Sequence, residues 1–238
     1  MSAAAATTGG TLDDPSLRAV LEREHARAKE DETKLAQARP KIEAAKREGK
    51  GFAEIGRLYP KNVYLSVAPD MGRFLYLAAL GARAQRIVEF GASYGISTLY
   101  LAAAARETGG RVVTTELEPA KAARARANLE EAGLASRVEL REGDALETLE
   151  DVEAPVDLLF LDGWKDLYLP VLRTMEPRLA PGALVLADNI FTFADELKIY
   201  MDAVSAPNGP YRSVVLPFAT GLGYSLFTGA AGKTETAP

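Results

Sequence analysis

From Arg86 onward the sequence alternates short apolar runs of strand length with stretches of helical periodicity, and this alternation restricts the chain to an α/β fold. The runs are Arg86–Phe90, 111–115, 137–141, Val156–Leu161 and 183–187. Between them the periodicity predicts helices at about 96–107, 119–132 and 166–179, with a shorter one near 145–150. A run such as Asp157-Leu158-Leu159-Phe160-Leu161 is almost continuously apolar, which suits a strand covered on both faces. The sheet is therefore expected to be mostly parallel and doubly wound. After a helix near 194–205, the strands Tyr211–Leu216 and 223–227 follow with no helix between them, so that pair has to be antiparallel.

Upstream of this block the chain is more polar. Residues 16–38 carry Leu17, Val20, Leu21 and Leu35 among many Arg, Lys and Glu, a sparse apolar stripe on a long charged helix. Pro40 is expected to interrupt it and to open a second helix over 41–48, which Gly49 and Gly51 stop. The stripe is too apolar to stay bare and too narrow for a core helix, which predicts packing against the mouth of a site or against a second subunit, most commonly in a homodimer. Pro69 then opens a helix whose Phe74, Leu75, Leu77, Ala78 and Leu80 are expected to face a core, ended by Gly81. Residues 1–11 and 229–238 are small and polar and are expected to fray. The resulting plan is a tail and helical extension over 1–60, an α/β domain over 61–228, and a terminal tail.

Charge and rare residues narrow the chemistry. Lys and Arg number 28 against 33 Asp and Glu, a formal net charge of −5, which disfavours nucleic acid or an anionic membrane as partner and leaves a small molecule or a protein. With 0 Cys, thiolate metal sites, disulfides and cysteine nucleophiles are excluded. The single His, His25, lies in the charged helix and is expected to face solvent. No apolar run approaches the ~20 residues of a membrane span, so the expected location is the cytoplasm.

Strand Arg86–Phe90 runs into Gly91-Ala92-Ser93-Tyr94-Gly95 and then a helix, and loops at the carboxyl ends of strands are where open α/β sheets bind ligands. The loop matches G-x-S-x-G, the nucleophile elbow of hydrolases, but that chemistry needs a His after the Ser, and His25 lies before it. As a dinucleotide loop it has Ser93 in place of the glycine that lets backbone meet a pyrophosphate. S-adenosylmethionine carries no phosphate and needs only a sharp turn beside its amino-acid portion. Glu89 at the end of this strand and Glu116, 25 residues after Gly91 at the end of the next, suit that ligand. Glu116 has the reach to accept both ribose hydroxyls, a role NAD would also want, or it simply ends a strand. After the third strand, Asp144 of Gly143-Asp144-Ala145 can either accept from an adenine amino group or cap the following helix.

A second constellation follows the fourth and fifth strands: Leu161-Asp162-Gly163-Trp164-Lys165-Asp166 and Ala187-Asp188-Asn189. Neighbouring strands lie ~4.8 Å apart, so Asp162, Asp188 and Asn189 converge on one edge as an all-oxygen set suited to Mg²⁺. Taken singly, Asp162 and Asn189 would be turn caps. Lys165 is either a solvated surface charge or, next to a cation and away from water, a base with a lowered pKa. Trp164, the only Trp, can stack on adenine or fill a core.

The stretch Phe160-Leu161-Asp162-Gly163-Trp164-Lys165-Asp166-Leu167-Tyr168-Leu169-Pro170, followed by Leu186-Ala187-Asp188-Asn189, resembles the cation-dependent catechol O-methyltransferase family of class I S-adenosylmethionine enzymes. The resemblance runs over 64–227. It implies a Rossmann-like sheet of order 3-2-1-4-5-7-6 with the last strand antiparallel, and methyl transfer to a hydroxyl of a catechol-like or other phenolic acceptor. It also implies that 67–72, with Val67, borders cofactor and acceptor; that Glu89, Gly91, Ser93 and Ser97 hold the methionine part; that Glu116 holds the ribose; and that Asp144, Ala145 and Trp164 hold the adenine. Asp162, Asp188 and Asn189 would bind Mg²⁺, Asp162 also meeting the cofactor, and Lys165 would be the general base. Two departures stand out: Gly163 replaces the His that precedes the Trp in the mammalian enzyme, and no carboxylate occurs between Pro217 and Ser225, where that enzyme has a Glu. Two rivals remain. An NAD-linked oxidoreductase is disfavoured by Ser93 and by the absence of a His or Tyr-x-x-x-Lys acid site, and a non-enzymatic cofactor-binding protein by the complete oxygen triad beside Lys165.

Overall fold

A computed structural model of the protein describes residues 10–60, 62–218 and 220–229. The chain opens with helices α1 (Pro15–Arg47), α2 (Phe52–Gly56) and α3 (Pro69–Gly81). It continues as β1 (Arg86–Phe90), α4 (Ile96–Thr108), β2 (Arg111–Glu116), α5 (Pro119–Glu131), β3 (Val138–Glu142), α6 (Ala145–Thr148) and β4 (Val156–Leu161). The last third holds α7 (Tyr168–Met175), β5 (Leu179–Ala187), α8 (Lys198–Val204), β6 (Tyr211–Leu216) and β7 (Leu222–Phe227). The strand order is β3-β2-β1-β4-β5-β7-β6, as the resemblance implies. The first five strands pair in parallel, while β7 runs antiparallel to both β5 and β6.

Period-two alternation divides the sheet's side chains between two cores. Ile87, Leu158, Phe160, Leu184 and Leu186 face the layer of α1, α3 and α4. Val88, Leu159, Leu161, Val185 and Ala187 face the layer of α6, α7 and α8. Both faces are covered, which explains the near-continuous apolar strands. β5 begins at Leu179, four residues earlier than its apolar run, because Leu179 pairs with Val156 across a register shift. The helix expected to reach 179 ends at Met175, and a short 3-10 turn carrying Pro177 follows.

The N-terminal extension departs most from expectation. Pro40 lies inside α1, which runs unbroken for 33 residues, about 50 Å at 1.5 Å per residue. Proline forfeits one backbone hydrogen bond there, but the helix is anchored on both sides of it. Leu17, Val20 and Leu21 are buried in the main core, while Ile42 and Ala45 pack with Ile55. Gly49 (φ +71°) ends the helix, with the Lys50 amide bonded to the Ala45 carbonyl at 3.0 Å. Leu17, Val20 and Leu21 of the apolar stripe are thus spent within the chain, while Leu35 remains partly exposed. Leu17 is 0% exposed, so Leu17→Ala is expected to lower the unfolding free energy by ~2–5 kcal/mol, read by urea denaturation.

Two smaller expectations are corrected. Thr11, read as part of a frayed tail, is buried, and its amide donates to Glu107 Oε1 at 2.5 Å; residues 1–9 and 230–238 lie outside the described residues. In α3 the buried stripe is Met71, Leu75, Tyr76 and Ala79, at helical spacing, and Leu77 is 61% exposed. Phe74, Ala78 and Leu80 are partly buried against the core. Among the described residues no helix is long and apolar enough to cross a membrane.

Candidate active site

Backbone hydrogen bonds continue past the carboxyl ends of the strands and fix the loops that follow. The amides of Ala92, Asp162 and Asp188 donate to the carbonyls of Thr115, Phe90 and Leu161 at 2.9–3.0 Å. Gly91 has φ +101°, and a Cβ placed on it would lie 2.8 Å from the Cα and amide nitrogen of Gly163. Only glycine permits this approach of two backbones. A Cβ on Gly163 would in turn meet the Phe90 ring at 2.3–2.5 Å, so Phe90 fills the space a larger residue at 163 would need. The loops after β1 and β4 are thereby pressed together at the switch point of the sheet, where β1 and β4 are neighbours.

Beneath the glycine loop, Glu89 is fully buried. Thr98 and Thr114 donate to its Oε2 at 2.5 and 2.6 Å, and Oε1 has no partner among the described residues. Burial pushes the Glu89 carboxyl up, against the lowering effect of nearby hydroxyls. Ser93 Oγ is likewise buried without a partner, and Ser93 itself holds φ +49°. Buried polar atoms are rarely left so, and a ligand with a cationic donor and polar substituents beside this loop would satisfy them. Glu116 accepts from the Ser93 and Glu118 amides at 2.7 and 2.9 Å, one on each oxygen. Each oxygen keeps a further acceptor site, so bracing the loop and accepting ribose hydroxyls are compatible. Asp144 caps α6 through the Leu146 amide at 2.8 Å and also borders the cavity.

The oxygen cluster is deeply placed. Asp188 is 4% exposed, and its Oδ1 accepts from Thr220 Oγ1 and the Asn189 amide, both at 2.7 Å. Asn189 stands at φ +70°, a left-handed conformation that asparagine tolerates. Burial pushes both the Asp162 and Asp188 carboxyls up, and Asp188 pushes Asp162 further. Lys165 is buried, its Nζ 3.3 Å from Asp162 Oδ1 and 2.7 Å from the Tyr168 hydroxyl, which donates to the Asp188 carbonyl at 3.2 Å. Burial lowers the Lys165 pKa against the pull of the two carboxylates. Lys165 is therefore no solvated surface charge. Among the described residues no three His, Cys, Asp or Glu side chains gather as a metal site. The set here is two carboxylates and an amide, hard oxygen donors with one lysine as counter-charge, and that chemistry fits Mg²⁺, which keeps several of its waters.

These groups open on one cavity of about 1040 Å³. Val67, Gly91, Ser93, Glu116, Asp144, Ala145, Asp162, Trp164, Lys165, Asp188 and Asn189 all line it, whereas Glu89 and Ser97 lie behind the wall. Trp164 stands edge-on to Tyr59, with ring centroids 6.5 Å apart. Sequence reasoning missed Tyr168 and Thr220; the expected packing of α1 against the mouth of a site corresponds to the cavity wall it supplies through His25, Lys29, Leu35, Arg39 and Lys46. His25, expected to face solvent, is half-buried with Nε2 3.1 Å from the Tyr100 hydroxyl, and burial lowers its pKa. Lys46 pairs with Glu196 at 2.6 Å and sits 4.2 Å from the centre of the Phe193 ring.

A family described as a methyltransferase domain matches residues 88–190. The chain is similar to a catechol O-methyltransferase of Niastella koreensis, 37% identical over 130 residues that make up 53% of this chain and 58% of that one. The match thus spans little more than half of that relative's length. A catechol O-methyltransferase of Sus scrofa is 33% identical over 137 residues, 55% of this chain and 73% of that one. Among solved structures, the O-methyltransferase TomG of Streptomyces achromogenes, involved in tomaymycin synthesis and in complex with SAM, superposes with a TM-score of 0.65. It is 28% identical, over 69% of this chain and 82% of that one.

Proposed function

Since the chain belongs to the catechol O-methyltransferase-like family of class I methyltransferases, we propose that it transfers the methyl group of S-adenosylmethionine to a hydroxyl of a phenolic small molecule in the presence of Mg²⁺. The observation that carries this reading is the contact of Gly91 with the backbone of Asp162 and Gly163, which puts the glycine loop and the buried Lys165 cluster on one cavity. Pockets for drug-sized ligands span ~300–1,000 Å³, so about 1040 Å³ leaves room for a cofactor and an acceptor together. The solved relative in complex with SAM supports the choice of cofactor, and family membership removes the oxidoreductase reading.

In this reading Ser93 borders the amino-acid end of the cofactor, with the Glu89 carboxyl buried behind the loop on the same side, Glu116 accepts from its ribose hydroxyls, and Asp144 and Ala145 border the adenine with Trp164. Ser97 lies on the first turn of α4 behind Glu89 and supports that end. Val67 divides cofactor from acceptor. Asp162, Asp188 and Asn189 would hold the cation, which when bound lowers the pKa of the acceptor hydroxyl. Lys165 takes the hydroxyl proton on Nζ. Its Tyr168 and Asp162 contacts hold that nitrogen in place. Orientation of this kind can supply up to ~7–11 kcal/mol of the barrier.

Titration of the purified chain with S-adenosylhomocysteine and with NADH tests the reading. Saturable binding of the first and none of the second is expected, together with methyl transfer to a panel of catechols and larger phenols. Absence of S-adenosylhomocysteine binding would overturn it.

A further inference from the structure

Glu24, on α1, is completely buried, and its oxygens are divided between two sets of partners. Arg23, Arg27 and Arg124 donate to Oε1 at 2.8, 2.9 and 2.7 Å, and the Tyr64 hydroxyl donates to Oε2 at 2.5 Å. The Tyr64 amide donates to the buried Asp31 carboxylate at 3.1 Å, so both ends of this tyrosine are tied to α1. Its ring lines the cavity and stacks on Tyr94 of the glycine loop, with centroids 4.1 Å apart. A second arm reaches the same residue: Arg23 donates to Asn128 Oδ1 at 2.9 Å, and Asn128 Nδ2 donates to the Tyr94 carbonyl at 2.9 Å. Next along the loop, the Ser93 amide is the one bonded to Glu116.

We propose that Glu24 and Tyr64 are positioning residues for the cofactor: α1 is latched to the glycine loop through them, so that docking of this helix and cofactor binding are coupled. The inference rests on the S-adenosylmethionine reading of that loop. A buried carboxylate surrounded by charge is poor evidence of stability, but it does fix geometry when every partner is satisfied. Here the geometry fixed is that of Tyr64, and through stacking and the Asn128 bridge that of Tyr94. Coupling is reciprocal, so whatever α1 does for cofactor affinity the cofactor does for α1.

Tyr64→Phe removes only the hydroxyl and keeps the stacked ring, Glu24→Gln keeps the shape, and Leu17→Ala removes core packing about two turns before Glu24 on the same helix while leaving every Glu24 and Tyr64 bond, and so the docked latch, in place. In the ligand-free full chain, hydrogen exchange at the Ser93 and Gly95 amides is expected to quicken about tenfold in the first two variants and to stay within twofold in the third. S-adenosylhomocysteine affinity is expected to fall about tenfold in the first two and hold in the third. Quickened exchange confined to α1, with the loop and the affinity unchanged, would overturn the latch, as would an equal loss of affinity in Leu17→Ala. If the unmodified protein fails to bind S-adenosylhomocysteine, the cofactor reading falls, and the loop exchange in the ligand-free chain still decides whether the latch exists.

Discussion

Asp188→Ala is expected to reduce Mg²⁺-supported methyl transfer by about 10³-fold or more, the equivalent of ~4 kcal/mol of transition-state stabilisation. Asp188 is one of two carboxylates in the oxygen set, and Mg²⁺ dehydrates reluctantly, so a set reduced to one carboxylate and one amide offers too little charge to hold it. The fold should survive. Asp188 pushes the Asp162 carboxyl up, so removing Asp188 relieves that repulsion while forfeiting the bonds from Thr220 and the Asn189 amide. Asp188→Asn serves as the control, since its side-chain oxygen can still accept those bonds. Both variants should keep S-adenosylhomocysteine affinity, because the glycine loop is untouched. Full turnover of the unmodified protein in excess EDTA would refute the cation requirement.

Strand-dominated features were readable because burial on both faces imposes an unbroken apolar run, and β1 and β4 fall where those runs lie. Loops that follow strands inherit their positions from the ladder, which is why Asp162, Asp188 and Asn189, expected on one edge after adjacent strands, line one cavity. What the sequence hid are contacts made by tertiary packing. Pro40 looks like a helix stop in any window around it, and only the anchoring by Leu17 on one side and Ile42 on the other keeps α1 whole. Thr220 follows the same logic: nothing in Pro217 to Ser225 marks it, yet it donates to Asp188 within the segment that lacks a carboxylate. Glu24 looked like any charge on a solvated helix, and its role depends on Tyr64 and Arg124, 40 and 100 residues away.

Lys165→Met is expected to lower turnover by ~10²–10⁴-fold, the usual contribution of a positioned acid or base, and to change S-adenosylhomocysteine affinity little. Methionine preserves most of the side chain's volume but leaves Asp162 without its lysine partner. Breaking a buried pair normally costs ~3–5 kcal/mol because a charge is left uncompensated. Asp162 is already pushed toward protonation by burial, so it can take up a proton and blunt that cost. Lys165→Arg separates the two things the lysine does. Arginine keeps a positive charge beside Asp162 but cannot give up its proton at any working pH, so it can compensate charge and cannot act as a base. If proton transfer to Nζ is what Lys165 contributes, both variants lose turnover to a similar extent, with stability restored only in the arginine variant. Substantial turnover in Lys165→Arg would instead make the residue a fixed charge that orients Asp162, and the base would have to be sought elsewhere on the cavity wall.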